Sequence, residues 1–245
     1  MKNMNPFKPI ELDPIEIICP KHGAYMAKRT KLSIISNLPL TSGCPQCIES
    51  REVIERKHEK LDEARSYGIP ERFVEATTES FTIGTPILED AKSKALQWAD
   101  SNLRGRNMII LGGSGTGKTH LGCMVLKRIK SQNCIYTNII NILDKVKSSY
   151  AKNRSYLEER TESIMGRYSR IDFLVIDNIE RFNNTVDNRK LLFSLINNRY
   201  ENRKSTIIIA GLNSSQLLKL VGYGLETRMK ANAEIIDLDP QAKLF

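Results

Sequence analysis

The chain has 245 residues, 40% of them apolar, which suits one α/β domain of moderate size with a small appendage. The sequence contains no run of 18 uncharged apolar residues, and its first 14 residues lack the apolar centre of a signal peptide. We therefore expect a cytoplasmic protein without a membrane span. The net charge is +9, and residues 101–245 carry 23 lysines and arginines against 13 acidic residues. This excess favours a polyanionic partner such as nucleic acid, although solvated lysines that only aid solubility would produce it too.

Two short cysteine motifs near the N-terminus have the spacing of metal ligands. Cys19 and His22 form a C-x-x-H pair, and after 21 intervening residues Cys44 and Cys47 form a C-x-x-C pair. A proline and a glycine accompany each pair, and they allow the tight turns that bring four ligands to one tetrahedral ion. Because a Cys₃His set leaves no open coordination position, we predict a structural zinc ion. Reduced thiols in a loosely folded arm are the alternative.

The sequence around these motifs predicts a small module followed by a helix. Between the motifs, Lys28, Arg29 and Lys31 form a basic cluster that suits either DNA contact or a solvated loop. The charged stretch 48–66 has only a thin apolar seam and predicts an exposed helix, which a Gly-Ile-Pro sequence ends. We predict that residues 1–65 form a zinc-binding module and a charged helix that bind a partner.

From residue 89 onward, helical and extended segments alternate. The predicted strands are 107–111, 134–137, 172–177, 206–211 and 234–237. The predicted helices are 89–102, 119–131, 188–202 and 214–221, with further helical sequence from 138 to about 168. Because the strands are continuous apolar runs separated by helices, we predict an α/β fold with a parallel sheet that is covered on both faces.

The sequence between the first strand and helix of this alternation, GGSGTGKT, matches the phosphate-binding motif G-x-x-x-x-G-K-[ST] at every fixed position. Backbone N–H groups of such a loop close around the β-phosphate, and the helix N-terminus adds a favourable dipole. Lys118 would reach the β- and γ-phosphates, and the Thr119 hydroxyl would ligate Mg²⁺. We therefore predict ATP and Mg²⁺ as ligands. The predicted nucleotide-binding residues of the loop are Gly112, Gly113, Ser114, Gly115, Thr116, Gly117, Lys118, Thr119 and His120.

A second magnesium ligand is predicted at the end of the strand 172–177. Four apolar residues precede Asp177 and carry it through the core to the carboxyl end of the strand, next to the phosphate loop. P-loop ATPases carry their second Mg²⁺ ligand at this position, so Asp177 is predicted to act with Lys118 and Thr119. The alternative is that Asp177 only caps the turn that follows.

Two phrases outside the phosphate loop make the sequence resemble a known family. SYGIPERF (Ser66 to Phe73) and RYENRKSTIIIAG (Arg199 to Gly211) resemble the DnaC helicase loaders and their relatives, the IstB-type transposition ATPases. The resemblance implies an AAA+ P-loop NTPase with a five-stranded parallel sheet in the order 5-1-4-3-2 and subunits that meet across the nucleotide. We therefore predict that residues 66–88 form a linker next to the nucleotide and that residues 89–245 form the AAA+ ATPase core.

Two positions depart from the family pattern. Relatives usually follow the aspartate of the third strand with a glutamate that polarises the attacking water, whereas this chain has Asn178, which cannot accept a proton. Glu180 lies two residues further on, and the sequence offers no geometric reason for it to substitute. Gly211 stands where relatives carry a polar sensor residue, and Asn213 could take that role only if the strand end shifts. We therefore predict ATP binding with slow or impaired hydrolysis.

The resemblance also implies a residue that acts on a neighbouring subunit. Arg228, in the sequence GLETRM, matches the family's arginine that reaches into the nucleotide of the next subunit, and we predict it as a catalytic residue. This role requires self-association through the ATPase core. The alternative is a helix-end arginine that pairs with Glu226 or with solvent.

Between the second and third strands, basic residues alternate with tyrosines. In the initiator and loader clade this region carries an extra helix that lines the path of single-stranded DNA, and positive charge with stacking platforms suits that role. Three glutamates interrupt the run, so a plain amphipathic surface helix is the alternative. The predicted DNA contacts are Lys145, Lys147, Tyr150, Lys152 and Arg154.

Three functions are consistent with these features. The first is an ATP-controlled switch that loads or remodels a replicative helicase hexamer on single-stranded DNA. The second is an IstB-like helper ATPase that assembles on duplex DNA for a transposase. The third is a zinc-dependent adaptor whose ATPase fold is catalytically silent, and Asn178 and Gly211 keep that interpretation open.

Overall fold

The computed structural model describes residues 11–30, 43–101, 104–129, 131, 133–150 and 157–239. The chain divides between Asp62 and Glu63 into two compact units. The functional division at residues 65 and 88 stays a prediction. In the described part of the chain, no helix is both long and apolar enough to cross a bilayer.

The first unit is built on an antiparallel hairpin. Strands β1 (Glu11–Cys19) and β2 (Gly23–Thr30) pair with Ile17 opposite Tyr25. Gly23 has a φ of +80°, a left-handed value that glycine adopts without strain, and it closes the turn after the C-x-x-H motif. Lys31 lies outside the described residues, as do the side chains of Lys28 and Arg29.

The predicted charged helix is present as α1 (Pro45–Ser66). It begins three residues earlier than predicted because Pro45 suits the first turn of a helix, where its missing N–H has no partner to lose. Cys47 therefore lies in this first turn. Val53 and Ile54 of the predicted apolar seam are exposed, and Ala64 is the buried residue of the helix.

The second unit contains a five-stranded parallel sheet in the order β7-β3-β6-β5-β4. Numbered from the first strand of the sheet, this is the predicted order 5-1-4-3-2. The strands are short, and the central strands β3 and β6 are buried throughout, as their unbroken apolar runs predict. Their bounds are β3 (Asn107–Leu111), β4 (Cys134–Asn138), β5 (Phe173–Asp177), β6 (Ser205–Ile209) and β7 (Ala233–Asp237).

Helices cover both faces of this sheet. Gly122 of the helix after the phosphate loop faces Ile110 and Ile209, whereas Ile109 and Ile208 belong to a core cluster with the helices of the other face. The helices are α2 (Pro86–Ala99), α3 (Lys118–Ile129), α4 (Ile139–Tyr150), α5 (Leu157–Arg170), α6 (Val186–Glu201), α7 (Ser214–Val221) and α8 (Tyr223–Lys230).

Several boundaries differ from the sequence predictions, and one helix was not predicted. Helix α2 begins at Pro86 rather than residue 89, because Thr85 caps its N-terminus by accepting a hydrogen bond from the Leu88 N–H. Strand β6 ends at Ile209, so Gly211 lies in the loop that leaves the sheet. Helix α8 was not predicted; Gly222 separates it from α7.

A buried arginine joins α6 to the sheet. Arg199 donates from Nε to Thr206 Oγ1 at 2.9 Å and from Nη1 to the carbonyls of Tyr168 and Ile171 at 2.6 and 2.8 Å. Burial lowers the pKa of Arg199 to about 9, which leaves the side chain charged at neutral pH. Arg199, the first residue of the diagnostic sequence RYENRKSTIIIAG, therefore has a structural role.

Candidate nucleotide and metal sites

The phosphate-binding loop connects the carboxyl end of β3 to the N-terminus of α3. Gly112 has a φ of +137°, and a Cβ there would lie 3.2 Å from Leu238 Cβ. A larger residue would therefore be strained and crowded. Within the loop, Thr116 Oγ1 donates to the Gly113 carbonyl at 3.0 Å, and Lys118 Nζ donates to the same carbonyl. The loop backbone and the Lys118 side chain therefore form one compact turn.

A cavity of about 520 Å³ lies beside this loop. It contains Lys118, whose pKa is lowered by burial, while the negative charges of Glu180 and Asp177 oppose that shift. Gly112, Gly113 and Thr116 shape the loop without lining the cavity. The described lining residues are Arg72, Phe73, Ser114, Gly115, Gly117, Lys118, Thr119, His120, Asp177, Asn178, Glu180, Arg181 and Gly211.

Asp177 lies at the end of β5 with its side chain against the first turn of α3. Its Oδ2 accepts a hydrogen bond from Thr119 Oγ1 at 2.9 Å and one from the Tyr136 hydroxyl at 2.5 Å. Its Oδ1 accepts from the N–H of Asn178 at 2.7 Å. The two predicted Mg²⁺ ligands, Thr119 and Asp177, are therefore neighbours.

The sequence did not point to Tyr136 as a site residue. This side chain is buried on β4, beside β5, and burial together with the charge of Asp177 raises its pKa well above the ordinary value of 10.0. A single aromatic residue in an apolar strand carries no sequence signal for such a contact, because the contact depends on β4 and β5 being adjacent.

Glu180 is the second carboxylate of the cavity. It lies in a short 3₁₀ turn, Ile179–Arg181, and its Oε2 accepts the N–H of Gly211 at 2.9 Å. Asn178, which precedes this turn, has left-handed backbone dihedrals with a φ of 54°. The structure thus supplies a geometric reason for Glu180 to take part in the site, which the sequence did not offer.

Asn213 does not take the place of the missing sensor residue. Its side chain caps α7 by accepting the Gln216 N–H at 2.9 Å, and Gln216 Oε1 accepts the Asn213 N–H in return. This reciprocal pair is a capping box, so the asparagine is engaged at the helix start. Asn213 is not among the described residues that line the cavity.

The segment before α2 forms part of the cavity wall. Arg72 and Phe73, from the SYGIPERF phrase, line the cavity, and Lys127 of α3 donates to the carbonyls of Phe73 and Val74. These two bonds hold the segment against α3. That residues 66–88 lie next to a bound nucleotide stays a prediction.

His120 follows Thr119 in the first turn of α3. Its Nε2 lies 3.0 Å from Ser80 Oγ, and its ring centroid is 5.6 Å from that of Phe81. Burial lowers the pKa of His120, which favours the neutral ring near pH 7. The histidine therefore joins the cavity to the segment before α2.

Arg228 lies on α8, outside the set of residues that line the cavity of its own subunit. Its Nε donates to Asn197 Oδ1 at 2.5 Å, its Nη1 donates to the Gly224 carbonyl at 2.8 Å, and its guanidinium lies 4.7 Å from the Phe193 ring centroid. Glu226, the alternative partner of Arg228, pairs with Lys230 at 2.8 Å.

The four predicted zinc ligands converge in the first unit. Cys19, His22, Cys44 and Cys47 each present one ligand atom, and these atoms all lie within 4.8 Å of one another. The Cys19 and Cys47 sulfurs are 3.7 Å apart, and His22 Nδ1 lies 3.3–3.7 Å from the three sulfurs. Tetrahedral zinc, with Zn–S of about 2.3 Å and Zn–N of about 2.0 Å, requires separations of about 3.8 Å and 3.5 Å. The ligand set therefore fits such an ion.

The cysteines of this cluster differ in acidity. The backbone N–H of Lys21 is the largest of the factors that lower the pKa of Cys19 to about 6. The hydrogen bond with Cys19 raises the pKa of Cys47. Cys19 therefore provides a thiolate more readily than Cys47 does.

The predicted DNA contacts fall partly on α4. This helix buries Ile142, Leu143 and Val146 against the core and exposes Lys145 and Lys147. Lys145 Nζ lies 3.2 Å from the Tyr168 hydroxyl. Helix α4 is thus amphipathic, with two lysines outward. The Tyr150 side chain, Lys152 and Arg154 lie outside the described residues, and the DNA role stays a prediction.

Comparison with known families gives a match to the family described as IstB-like ATP binding protein over residues 51–222. The match covers more than half of the chain. This chain belongs to the IstB-like ATP-binding protein family. The matched range contains the phosphate loop, Asp177, Glu180 and Gly211. The Cys/His cluster and Arg228 lie outside it.

One relative of this chain comes from an insertion sequence, which is a mobile element. The chain is 34% identical over 109 residues to the insertion sequence IS232 putative ATP-binding protein of Bacillus thuringiensis subsp. berliner. The alignment covers 44% of this chain and 41% of that protein, so the chain spans about two fifths of the relative's length.

Solved structures show the same fold. The DnaC helicase loader superimposes with a TM-score of 0.58 at 21% identity, over 69% of this chain and 99% of that chain. DnaI gives 0.57 at 13% identity over 69% and 94%. Domain III of the Thermotoga maritima replication initiation protein DnaA gives 0.55 at 22% identity over 66% of each chain. The second unit of this IstB-like protein therefore has the AAA+ core of the DnaC and DnaA proteins.

Proposed function

We propose that this IstB-like protein is an ATP-controlled switch that loads or remodels a replicative helicase on single-stranded DNA, with slow ATP turnover. The observation that supports this proposal most is the cavity beside the phosphate loop, which Lys118, Thr119 and Asp177 line together. The unit that contains this cavity has the fold of the DnaC helicase loader. ATP would favour the assembled state that grips DNA, and slow hydrolysis would release it.

Mg²⁺ and the phosphates would be held by residues that now bond to one another. Thr119 Oγ1 and Asp177 Oδ2 would turn from their mutual hydrogen bond to the metal ion, since both are oxygen ligands of the kind Mg²⁺ prefers. Lys118 would exchange the Gly113 carbonyl for phosphate oxygens. The ion supplies charge neutralisation and a template for the phosphates when bound.

The first unit would bind the partner protein. Its four metal ligands close a tetrahedral set with no open position, so zinc there would serve folding rather than catalysis. The charged helix α1, with Val53 and Ile54 exposed, would present the contact surface. A module of this size has few apolar residues to bury, and a metal ion compensates for that.

A second function, the helper ATPase of a transposase on duplex DNA, is supported by the similarity to the IS232 protein. The two functions differ in DNA preference. The exposed Lys145 and Lys147 on α4 are the proposed DNA contacts in either case. The Lys145→Ala/Lys147→Ala variant should reduce the salt dependence of binding, by about 0.7 in slope for each lost contact to single-stranded DNA. Titrations with single-stranded and duplex oligonucleotides of equal length separate the two functions.

The partner is tested by native mass spectrometry of the protein mixed with the replicative helicase, with and without Mg·ATP. We expect a complex with the helicase hexamer that depends on ATP and is lost in Lys118→Ala. Lys219→Ala, an exposed lysine on α7, serves as the matched control. Absence of a complex under both conditions would refute the loader. A complex that Lys118→Ala leaves intact would favour a silent ATPase scaffold instead.

A further inference from the structure

The cavity contains a carboxylate with no role in the predicted ATP site. Glu180 is half-buried in the 3₁₀ turn after β5, and it lines the same cavity as Lys118 and Asn178. The N–H of Gly211 fixes its Oε2 at 2.9 Å. The side chain is thus held in place by the loop after β6, on the phosphate side of the sheet.

Gly211 is the residue that makes this position possible. A Cβ on residue 211 would lie 2.9 Å from Glu180 Oε1 and 3.1 Å from its Cδ. Real Cβ atoms do not approach carboxylates that closely, so any side chain at 211 would displace Glu180. The position of the Glu180 carboxylate therefore depends on residue 211 having no side chain, and so on the absence of a polar sensor residue there.

The two carboxylates of the cavity have different surroundings. Asp177 is buried, and its oxygens accept from Thr119, Tyr136 and the Asn178 N–H. Glu180 accepts one backbone N–H, which leaves lone pairs on both of its oxygens for a water molecule. The negative charge of Glu180 also opposes the burial effect on the pKa of Lys118, so the carboxylate and the phosphate-binding lysine lie near each other.

We infer that Glu180 is the general base for ATP hydrolysis, in a site where Asn178 cannot accept a proton. The inference rests on the proposed ATP-dependent function. A water molecule held by Glu180 attacks the γ-phosphorus and forms a P–O bond, while the bond from this phosphorus to the β–γ bridging oxygen breaks. ADP leaves with the electron pair of that bond. The water proton passes to the Glu180 carboxylate and then to solvent, and inorganic phosphate is the second product.

Glu180→Gln tests this role with little change in structure. Glutamine keeps an oxygen acceptor for the Gly211 N–H and nearly the same volume, but it cannot take up the proton. We expect hydrolysis to fall by about 10²- to 10⁴-fold. The affinity for a fluorescent ATP analogue and the melting temperature should stay near those of the unmodified protein.

Two further variants separate catalysis from mere structural support. Gly211→Ala should also lower hydrolysis, because its Cβ pushes the carboxylate away while Glu180 itself is unchanged. Asn178→Ala should have the smaller effect, since the amide is not the proton acceptor. Glu180→Asp should recover part of the activity lost in Glu180→Gln, because it restores a carboxylate on a shorter stem.

The outcomes are distinct. Normal hydrolysis by Glu180→Gln, or loss in Asn178→Ala alone, would overturn the role of Glu180. A wild-type protein that binds ATP without hydrolysing it would overturn that role and leave the ATP switch intact. A wild-type protein that fails to bind the ATP analogue would refute both. A helicase complex without ATP dependence would count against the switch alone.

Discussion

At the scale of single residues, Asp177 is the most strongly constrained group of the candidate site. Two hydroxyls share its Oδ2, and the backbone N–H of Asn178 bonds to Oδ1. A hydrogen-bonded carboxylate has a defined orientation, and the groups that orient a metal ligand affect the affinity for the metal. Tyr136 therefore acts on the predicted Mg²⁺ site through Asp177.

Tyr136→Phe should weaken the site and the fold together. Loss of one oriented hydrogen bond should raise the Mg²⁺ concentration needed for ATP binding by roughly 10-fold. Loss of a buried bond to a charged group should lower the free energy of unfolding by about 1.5–3 kcal/mol. Mg²⁺ titrations with a fluorescent ATP analogue and urea unfolding measure both. Tyr200→Phe, at a half-exposed position on α6, is the control.

The same residue predicts a dependence on alkaline pH. The pKa of Tyr136 is raised in the folded protein, so the unfolded chain releases this proton near pH 10 while the folded chain keeps it. The contribution of Tyr136 to stability is therefore complete below pH 10 and falls as the pH rises above it. Tyr136→Phe should show a shallower loss of stability between pH 9 and 11 by urea unfolding. Equal slopes would contradict the assignment.

At the scale of secondary-structure elements, α6 depends on one buried cation. Arg199 links this helix to the last turn of α5, to the residue after it and to β6 through its bonds to Tyr168, Ile171 and Thr206. The bonds to the Tyr168 carbonyl and the Thr206 hydroxyl are buried, so water has little access to replace a lost donor there. The element is therefore fixed by polar bonds within an otherwise apolar core.

Arg199→Met should destabilise the second unit strongly. Methionine fills much of the volume but leaves buried neutral acceptors without donors, and each unsatisfied buried polar group costs about 1–3 kcal/mol. Arg189→Met on the exposed side of the same helix should change the free energy of unfolding by about 0.5 kcal/mol or less. Equal effects in urea unfolding would show that the buried bonds of Arg199 contribute little.

The hairpin and the first turn of α1 likewise depend on a few polar groups, the four residues of the Cys/His cluster. β1 and β2 bring Cys19 and His22 together, and α1 carries Cys47 in its first turn. Their ligand atoms all lie within 4.8 Å of one another, and the separations from His22 to the three sulfurs and from Cys19 to Cys47 are close to those of tetrahedral zinc. Metal binding of this kind is coupled to folding.

His22→Ala should lose zinc and unfold the hairpin, whereas His22→Cys should keep four ligands and retain the metal. Elemental analysis gives the zinc content, and protease sensitivity of residues 11–62 reports folding. ATP affinity should stay unchanged in both variants, because every cavity-lining residue of the described chain belongs to the second unit. A protein purified without zinc whose hairpin resists protease would contradict this prediction.

At the scale of the whole molecule, the nucleotide site and the predicted trans-acting arginine are separate. Arg228 lies on α8, bonded to Asn197 and Gly224 and stacked on Phe193, away from its own cavity. The predicted role of Arg228 therefore requires a second subunit, because Arg228 is not among the described residues that line its own cavity.

Arg228→Ala should reduce self-association in Mg·ATP, because a charge that bridges subunits at the γ-phosphate is lost. Sedimentation velocity with and without ATP measures the assembly. Lys230→Ala, on the same helix and paired with Glu226, is the control. If Arg228→Ala lowers the melting temperature while assembly persists, the residue serves its own subunit through Phe193 and Asn197.

Several features could be predicted from the sequence because they depend on local pattern. The phosphate loop, the Cys/His cluster and the parallel sheet follow from glycine spacing, cysteine spacing and unbroken apolar runs. The predictions of helix starts were less accurate. Helix α2 begins at Pro86, earlier than predicted, because the capping Thr85 decides the start rather than the apolar pattern. The short helix α8 was missed because eight residues with few apolar positions give a weak periodic signal.

The sequence by itself determined the ATP-binding loop, the Cys/His cluster and the order in which strands and helices follow one another. Only the tertiary structure decided which side chains from different strands meet. Tyr136 reaches Asp177 because β4 lies beside β5, and Glu180 reaches Gly211 because β5 lies beside β6. Such contacts join residues 31 and 41 positions apart, and no local pattern encodes them, because hydrogen bonds depend on atoms brought within about 3 Å by the whole sheet.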